Sequence, residues 1–128
     1  MNQRDFRLVM VTAAVLLWSS AWAASFDVTP GQLRSVPPNF PLKVEVQLTH
    51  TGAAPAFYTL YASEHGEQIP IRTSRLRKFV MSRKGQSLQQ TVQFLGTQQR
   101  QRTVKVCARV QEKGNPSTLD LCSDVAVK

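Results

Sequence analysis

Two histidines, two cysteines and eight carboxylates are the whole stock of common catalytic acids, bases and metal ligands in a chain of 128 residues. His50 and His65 both sit beside turn signals and read as surface residues. Neither has a sequence neighbour that would complete a metal site or a nucleophile-base pair. Asp27, Glu45, Glu64, Glu67, Glu112, Asp120 and Asp124 show no spacing of a catalytic carboxylate pair or a calcium loop. A glycine-rich phosphate loop is also lacking. No enzymatic role is expected, and no metal or cofactor. Six glycines and seven prolines are too few for a disordered or collagen-like chain. The length suits one domain, which excludes a multidomain enzyme, and 42% hydrophobic content supports a packed core.

Beyond the N-terminal region no apolar run is long enough to span a bilayer. The one long run, Leu8 to Trp18, follows Arg4 and Arg7 and precedes Ala21-Trp22-Ala23, which puts small residues at the third and first positions before a cut. As a helix it reaches only about 16 Å, against ~30 Å of hydrocarbon. It reads as a secretory signal peptide at 1–23, leaving a domain at 24–128 that is periplasmic or secreted and does not span the membrane. Cleavage after Ala23 removes Arg4, Arg7 and Asp5, so 16 basic and 8 acidic residues become 14 and 7, a net charge of +7.

The remainder alternates with a period of two. Leu42, Val44, Val46 and Leu48 are interleaved with Lys43, Glu45, Gln47 and Thr49, the pattern of a strand with one wet face. Similar signals recur at Phe26 to Val28, Ala56 to Ala62, Gln68 to Ile71, Leu76 to Met81, Leu88 to Leu95, Thr103 to Gln111 and Thr118 to Val127. Turn chemistry separates them, as at Pro37-Pro38-Asn39, His65-Gly66, Lys84-Gly85 and Gly114-Asn115-Pro116. Seven or eight short strands without an amphipathic helix predict an all-β, immunoglobulin-like antiparallel sandwich, with a small barrel as the alternative. No internal repeat or low-complexity linker is present.

The last hairpin can be placed residue by residue. A pair of antiparallel strands centred between Gly114 and Asn115 sets Cys107 opposite Cys122. The same register aligns Arg109 with Asp120 and Lys105 with Asp124 on the cysteine face. On the other face it aligns Val110 with Leu119, Ala108 with Leu121 and Val104 with Val125. Opposite charges meet and apolar side chains meet, whereas a slip of one residue would destroy both patterns. In an oxidising compartment the two cysteines are expected to form a structural disulfide rather than a redox pair, because no Cys-x-x-Cys spacing is present.

Charge is unevenly spread. Between Glu67 and Glu112 no carboxylate occurs, while Arg72, Arg75, Arg77, Lys78, Arg83, Lys84, Arg100, Arg102, Lys105 and Arg109 do. This basic patch is open to two readings: attraction to an anionic partner or surface, or solvated strand faces that discourage edge-to-edge aggregation. Specific nucleic acid binding is disfavoured, since only Phe79 and Phe94 could supply stacking groups within the interval.

Leu33-Arg34-Ser35-Val36-Pro37 resembles the first-strand arginine motif of periplasmic pilus chaperones of the PapD-like type. Val44-Glu45-Val46-Gln47-Leu48-Thr49-His50-Thr51-Gly52 is similar to their second strand running into a turn. The stretch from Leu76 to Val92 resembles their sequence of apolar strand, Gly-containing turn and returning strand. The resemblance implies an immunoglobulin-like N-terminal domain. It also implies that the last strand is donated to the open edge of a pilin subunit, with main-chain hydrogen bonds supplying affinity. Leu119, Leu121, Val125 and Val127 would be the strand-donation side chains, with Ser123 interrupting the series. Arg34 and Lys128 fall where the family binds the subunit's terminal carboxylate, a task suited to charge-assisted hydrogen bonds. A disulfide between the last two strands also occurs in one branch of that family. Two functions are carried forward. One is a periplasmic chaperone-like binding module that engages an extended polypeptide or pilin-type subunit by strand addition. The other is a non-enzymatic structural or adaptor component of a cell-envelope pilus or secretion assembly, docking through a basic face.

Overall fold

The computed structural model describes residues 24–97 and 101–128. The signal-peptide expectation at 1–23, and Arg100 of the basic interval, lie outside the described residues. The described chain forms β1 (Ser25–Thr29), β2 (Gln32–Leu33), β3 (Pro41–Thr49), β4 (Ala56–Glu64), β5 (Glu67–Ile69), β6 (Arg72–Thr73), β7 (Lys78–Met81), β8 (Ser87–Leu95), β9 (Arg102–Glu112) and β10 (Leu119–Val127).

Alternation builds two sheets that share one core. On β3, Leu42, Val44, Val46 and Leu48 are buried while Pro41, Lys43, Glu45 and Gln47 face water. Opposite them, Tyr58 and Leu60 of β4 and Val104, Val106 and Val110 of β9 close the interior. One sheet runs β1-β3-β8-β6 and the other β2-β10-β9-β4-β5, with β7 also paired to β4. This is the expected immunoglobulin-like sandwich. Among the described residues its single parallel contact joins β2 to β10.

Two strand signals divide in the folded chain. After β1 the backbone passes a cis Thr29–Pro30 bond and leaves β3 for the other sheet, where Gln32 and Leu33 stand beside Ala126 and Val127. The signal at Gln68 to Ile71 breaks at Pro70, which has no N–H to donate to a ladder. Glu67–Ile69 therefore stays with β4, and Arg72–Thr73 crosses to β8.

Gly96 fixes the segment between β2 and β3. A Cβ there would lie 2.7 Å from Val36 Cγ2, 2.8 Å from Pro37 O and 2.9 Å from Val36 O, while the Gly96 N–H donates to Phe40 O at 2.9 Å. Two of the three clashes are with backbone, which a rotamer change cannot relieve. Gly96→Ala is expected to destabilise the fold by about 1–3 kcal/mol through overpacking. Urea unfolding measures it, and an unchanged midpoint would show that Val36–Pro37 yields freely.

Candidate functional site

Strand β10 is held on one side along its whole length and on the other only at its end. Toward β9 the register runs from Leu119↔Val110 through Cys122↔Cys107 to Val127↔Arg102. Every cross-strand pair expected from the sequence is present in it. A disulfide joins Cys107 to Cys122, whose Cα atoms are 4.1 Å apart, the close approach of a non-hydrogen-bonded pair. Arg109 Nε donates to Asp120 Oδ1 at 2.9 Å, and both side chains remain about half exposed. The Arg109 guanidinium lies over the Tyr61 ring, 5.2 Å from its centroid. Lys105 and Asp124 face each other in the register without closing to an ion pair.

On its outer side β10 meets β2 at Ala126 and Val127 only. Among the described residues Leu119 to Val125 have no strand partner there, so this stretch leaves a row of main-chain donors and acceptors without a ladder. Its inward side chains are graded. Leu119 and Leu121 are half-buried, with Leu121 packed at the margin of the core, whereas Val125 and Val127 are fully buried within it. Ser123 stands half-buried between the two pairs.

Arg34 and Lys128 meet at the closed end of this edge. The Lys128 N–H donates to Leu33 O at 3.0 Å, and the Ser35 N–H donates to Lys128 O at 2.7 Å. The backbone of Lys128 thus brackets Arg34, and both side chains are exposed. Among the described residues neither makes an ion pair.

Two residues read as surface groups are buried. His50 lies inside, with Nδ1 hydrogen-bonded to the Tyr58 hydroxyl at 2.5 Å, and its Nε2 is buried without a partner. Tyr58 stacks on Phe79, and its hydroxyl pKa is pushed up to about 12, chiefly by burial and then by Glu112. Arg102, counted in the basic interval, is also buried and so leaves the surface set. Its Nε and one terminal nitrogen donate to Glu64 at 2.7 and 2.9 Å, and the other donates to Leu95 O at 2.8 Å. Burial without such partners would be prohibitive for a guanidinium. The remaining exposed bases, Arg72, Arg75, Arg77, Lys78, Arg83 and Lys84, follow one margin of the sandwich from β6 through β7 to the next turn. Lys105 stands apart, on the outer face of β9.

Among the described residues no group of three His, Cys, Asp or Glu side chains could hold a metal ion, and no helix is long and apolar enough to cross a membrane. No sequence-family model matches the chain, and no curated relative is found by sequence. Solved structures do match in fold. The Escherichia coli chaperone DraB aligns with a TM-score of 0.59 at 10% identity, over 81% of this chain and 54% of that one. A chain from the complex of Salmonella enterica SafA pilin with the SafB chaperone gives the same figures. A PapD-like domain of human CEP192 aligns with a TM-score of 0.53 at 12% identity, over 80% of this chain and 83% of that one. The chain spans about half the length of the two bacterial matches. Its fold is that of a PapD-like, immunoglobulin-like domain.

Proposed function

We propose that the protein is a periplasmic, chaperone-like binding module that engages an extended polypeptide, such as a pilin-type subunit, by strand addition along the outer edge of β10. The observation that carries this reading is the open run from Leu119 to Val125, which ends where Arg34 and Lys128 come together. An added strand would bond to the free main chain of β10, while its terminal carboxylate would take charge-assisted hydrogen bonds from the guanidinium and ammonium groups. Leu119 and Leu121, being half-covered, offer apolar surface to such a strand. Val125 and Val127 would act from beneath, by keeping the strand's end fixed in the core. This work is recognition rather than catalysis and needs no cofactor. The disulfide fits an oxidising compartment. The adaptor reading is supported by a different observation, the exposed bases gathered along β6 and β7.

Copurification from the native envelope tests strand addition. Wild-type protein should carry a subunit-like polypeptide that slows amide exchange at Leu119 to Val125. Leu121→Arg should abolish the association while the variant remains folded, and Arg34→Ala should weaken it about tenfold, ~1.4 kcal/mol. If both variants keep the polypeptide at wild-type levels, β10 is not the docking edge.

A further inference from the structure

Along the margin opposite β10, three large apolar side chains stand in water among bases. Leu76 is 78% exposed, Val80 52% and Phe57 50%. Phe57 and Val80 face each other across β4 and β7, with Thr59 and Lys78 as the next pair on the same face. Leu76 lies two residues before Lys78, between Arg75 and Arg77, which are both exposed.

The exposure of Leu76 is held in place by the backbone around it. Buried Gln90 donates from Nε2 to Leu76 O at 3.3 Å and accepts from the Arg75 N–H at 3.2 Å. Ser74 N–H donates to Thr91 O at 3.0 Å on one side of the loop, and Leu60 N–H to Arg77 O at 3.0 Å on the other. The next turn is fastened in the same way. Gln86 Oε1 accepts from the N–H groups of Ser82 and Arg83 at 3.1 and 3.2 Å, and Gly85 N–H donates to His50 O at 2.7 Å. Arg83 and Lys84 are thereby displayed near β7 on a fixed backbone.

We infer that this margin docks on an anionic lipid surface, with Leu76, Val80 and Phe57 entering the headgroup boundary and the flanking arginines and lysines binding lipid phosphates. Positive charge beside protruding apolar tips is the chemistry of an interfacial anchor. A folded acidic protein would instead be expected to seat its anchors in a pocket. The concavities beside Tyr61, Lys43 and Asn39 include none of Leu76, Val80 and Phe57 in their walls, and of the margin's bases only Arg72 lines two of them. The stretch that supplies these bases holds no carboxylate between Glu67 and Glu112, and Glu112 itself stands opposite Ala56 at one end of the margin. Because β6 and β7 lie at the edges away from β1, β2 and β10, docking leaves the open edge free. The inference supplies the partner chemistry of the adaptor reading and does not depend on strand addition.

Cosedimentation of the exported protein with phosphatidylglycerol-containing and pure phosphatidylcholine vesicles tests it. Binding is expected to the anionic vesicles only, and to weaken between about 50 and 200 mM salt as screening shortens. Leu76→Ser, which leaves the charge unchanged, should lower partitioning roughly tenfold, and the pair Arg75→Ser and Arg77→Ser by at least about as much. Lys105→Ser, on the outer face of β9 apart from the margin, should have no effect. Salt-sensitive binding that is indifferent to Leu76→Ser would leave an electrostatic docking face and overturn lipid insertion. Retention on immobilised polyglutamate without vesicle binding would assign the margin to an acidic protein. Absence of binding to any vesicle, or equal binding to both kinds, would also refute the inference.

Discussion

Arg102→Met is expected to remove about 3 kcal/mol of folding free energy, the lower end of the cost of breaking a buried ion pair. The guanidinium side chain is 3% exposed and its partner Glu64 13%, so the carboxylate stranded by the substitution could be only partly rehydrated. The loss also releases Leu95 O, because one Arg102 nitrogen serves that carbonyl at the end of β8. Against a typical total of about 5–15 kcal/mol, such a loss is large. Glu64→Gln combined with Arg102→Met should recover much of it, since no unpaired charge then remains. The pair also sets an acid limit. The Arg102 hydrogen bond holds the Glu64 carboxyl below its usual range, so its contribution is present above the unfolded value near pH ~4.3 and fades as pH falls through the lower folded value. Urea unfolding from pH 7 downward should show a shallower acid limb in Glu64→Gln than in wild type. A cost for Arg102→Met below about 1 kcal/mol would mean that water reaches the pair freely.

Much of this architecture is legible in the side-chain alternation, including two features that composition alone misplaces. His50 continues the inward parity of Leu42, Val44, Val46 and Leu48, and Arg102 continues that of Val104, Val106, Ala108 and Val110. Read by period, both belong inside; read by residue type, both belong outside. Period prevailed because each side chain finds a partner, Tyr58 for Nδ1 of His50 and Glu64 for Arg102. The partners lie eight and 38 residues away, and no local signal links them. The hairpin was legible for the opposite reason, since its two strands are joined by a short turn and one register satisfies both faces. Strand β2 was not, because a two-residue parallel contact has no period to detect. The basic interval is plain in composition, but its gathering at one margin depends on the crossing from β6 to β7, which only topology supplies. Arg34 and Lys128 stand out only through family likeness, and the β2 contact that brings them together lies outside any sequence pattern.

Replacing both Cys107 and Cys122 by serine is expected to lower stability by roughly 2–4 kcal/mol while preserving the sandwich. The crosslink closes a separation of 15 residues, so its main effect is to restrict the unfolded chain. The dependence of unfolding free energy on urea should therefore steepen slightly in the variant, as the released chain exposes more surface. Cys107 is buried and Cys122 exposed. The single variants should consequently differ: serine at 107 also buries a hydroxyl, whereas serine at 122 meets water. Amide exchange should quicken most at β10, whose outer side has no ladder over Leu119 to Val125 among the described residues and whose inner side is pinned by β9 and this bond. The ladder itself should survive, because Val110–Leu119, Ala108–Leu121 and Val104–Val125 still pair their side chains and Arg109 still reaches Asp120. Peptide mapping of the unreduced protein checks the premise, and free thiols at both positions, or a linkage only between chains, would contradict it. A double variant as stable as wild type would place the stability of the hairpin in its apolar pairs alone, with the disulfide idle in folding.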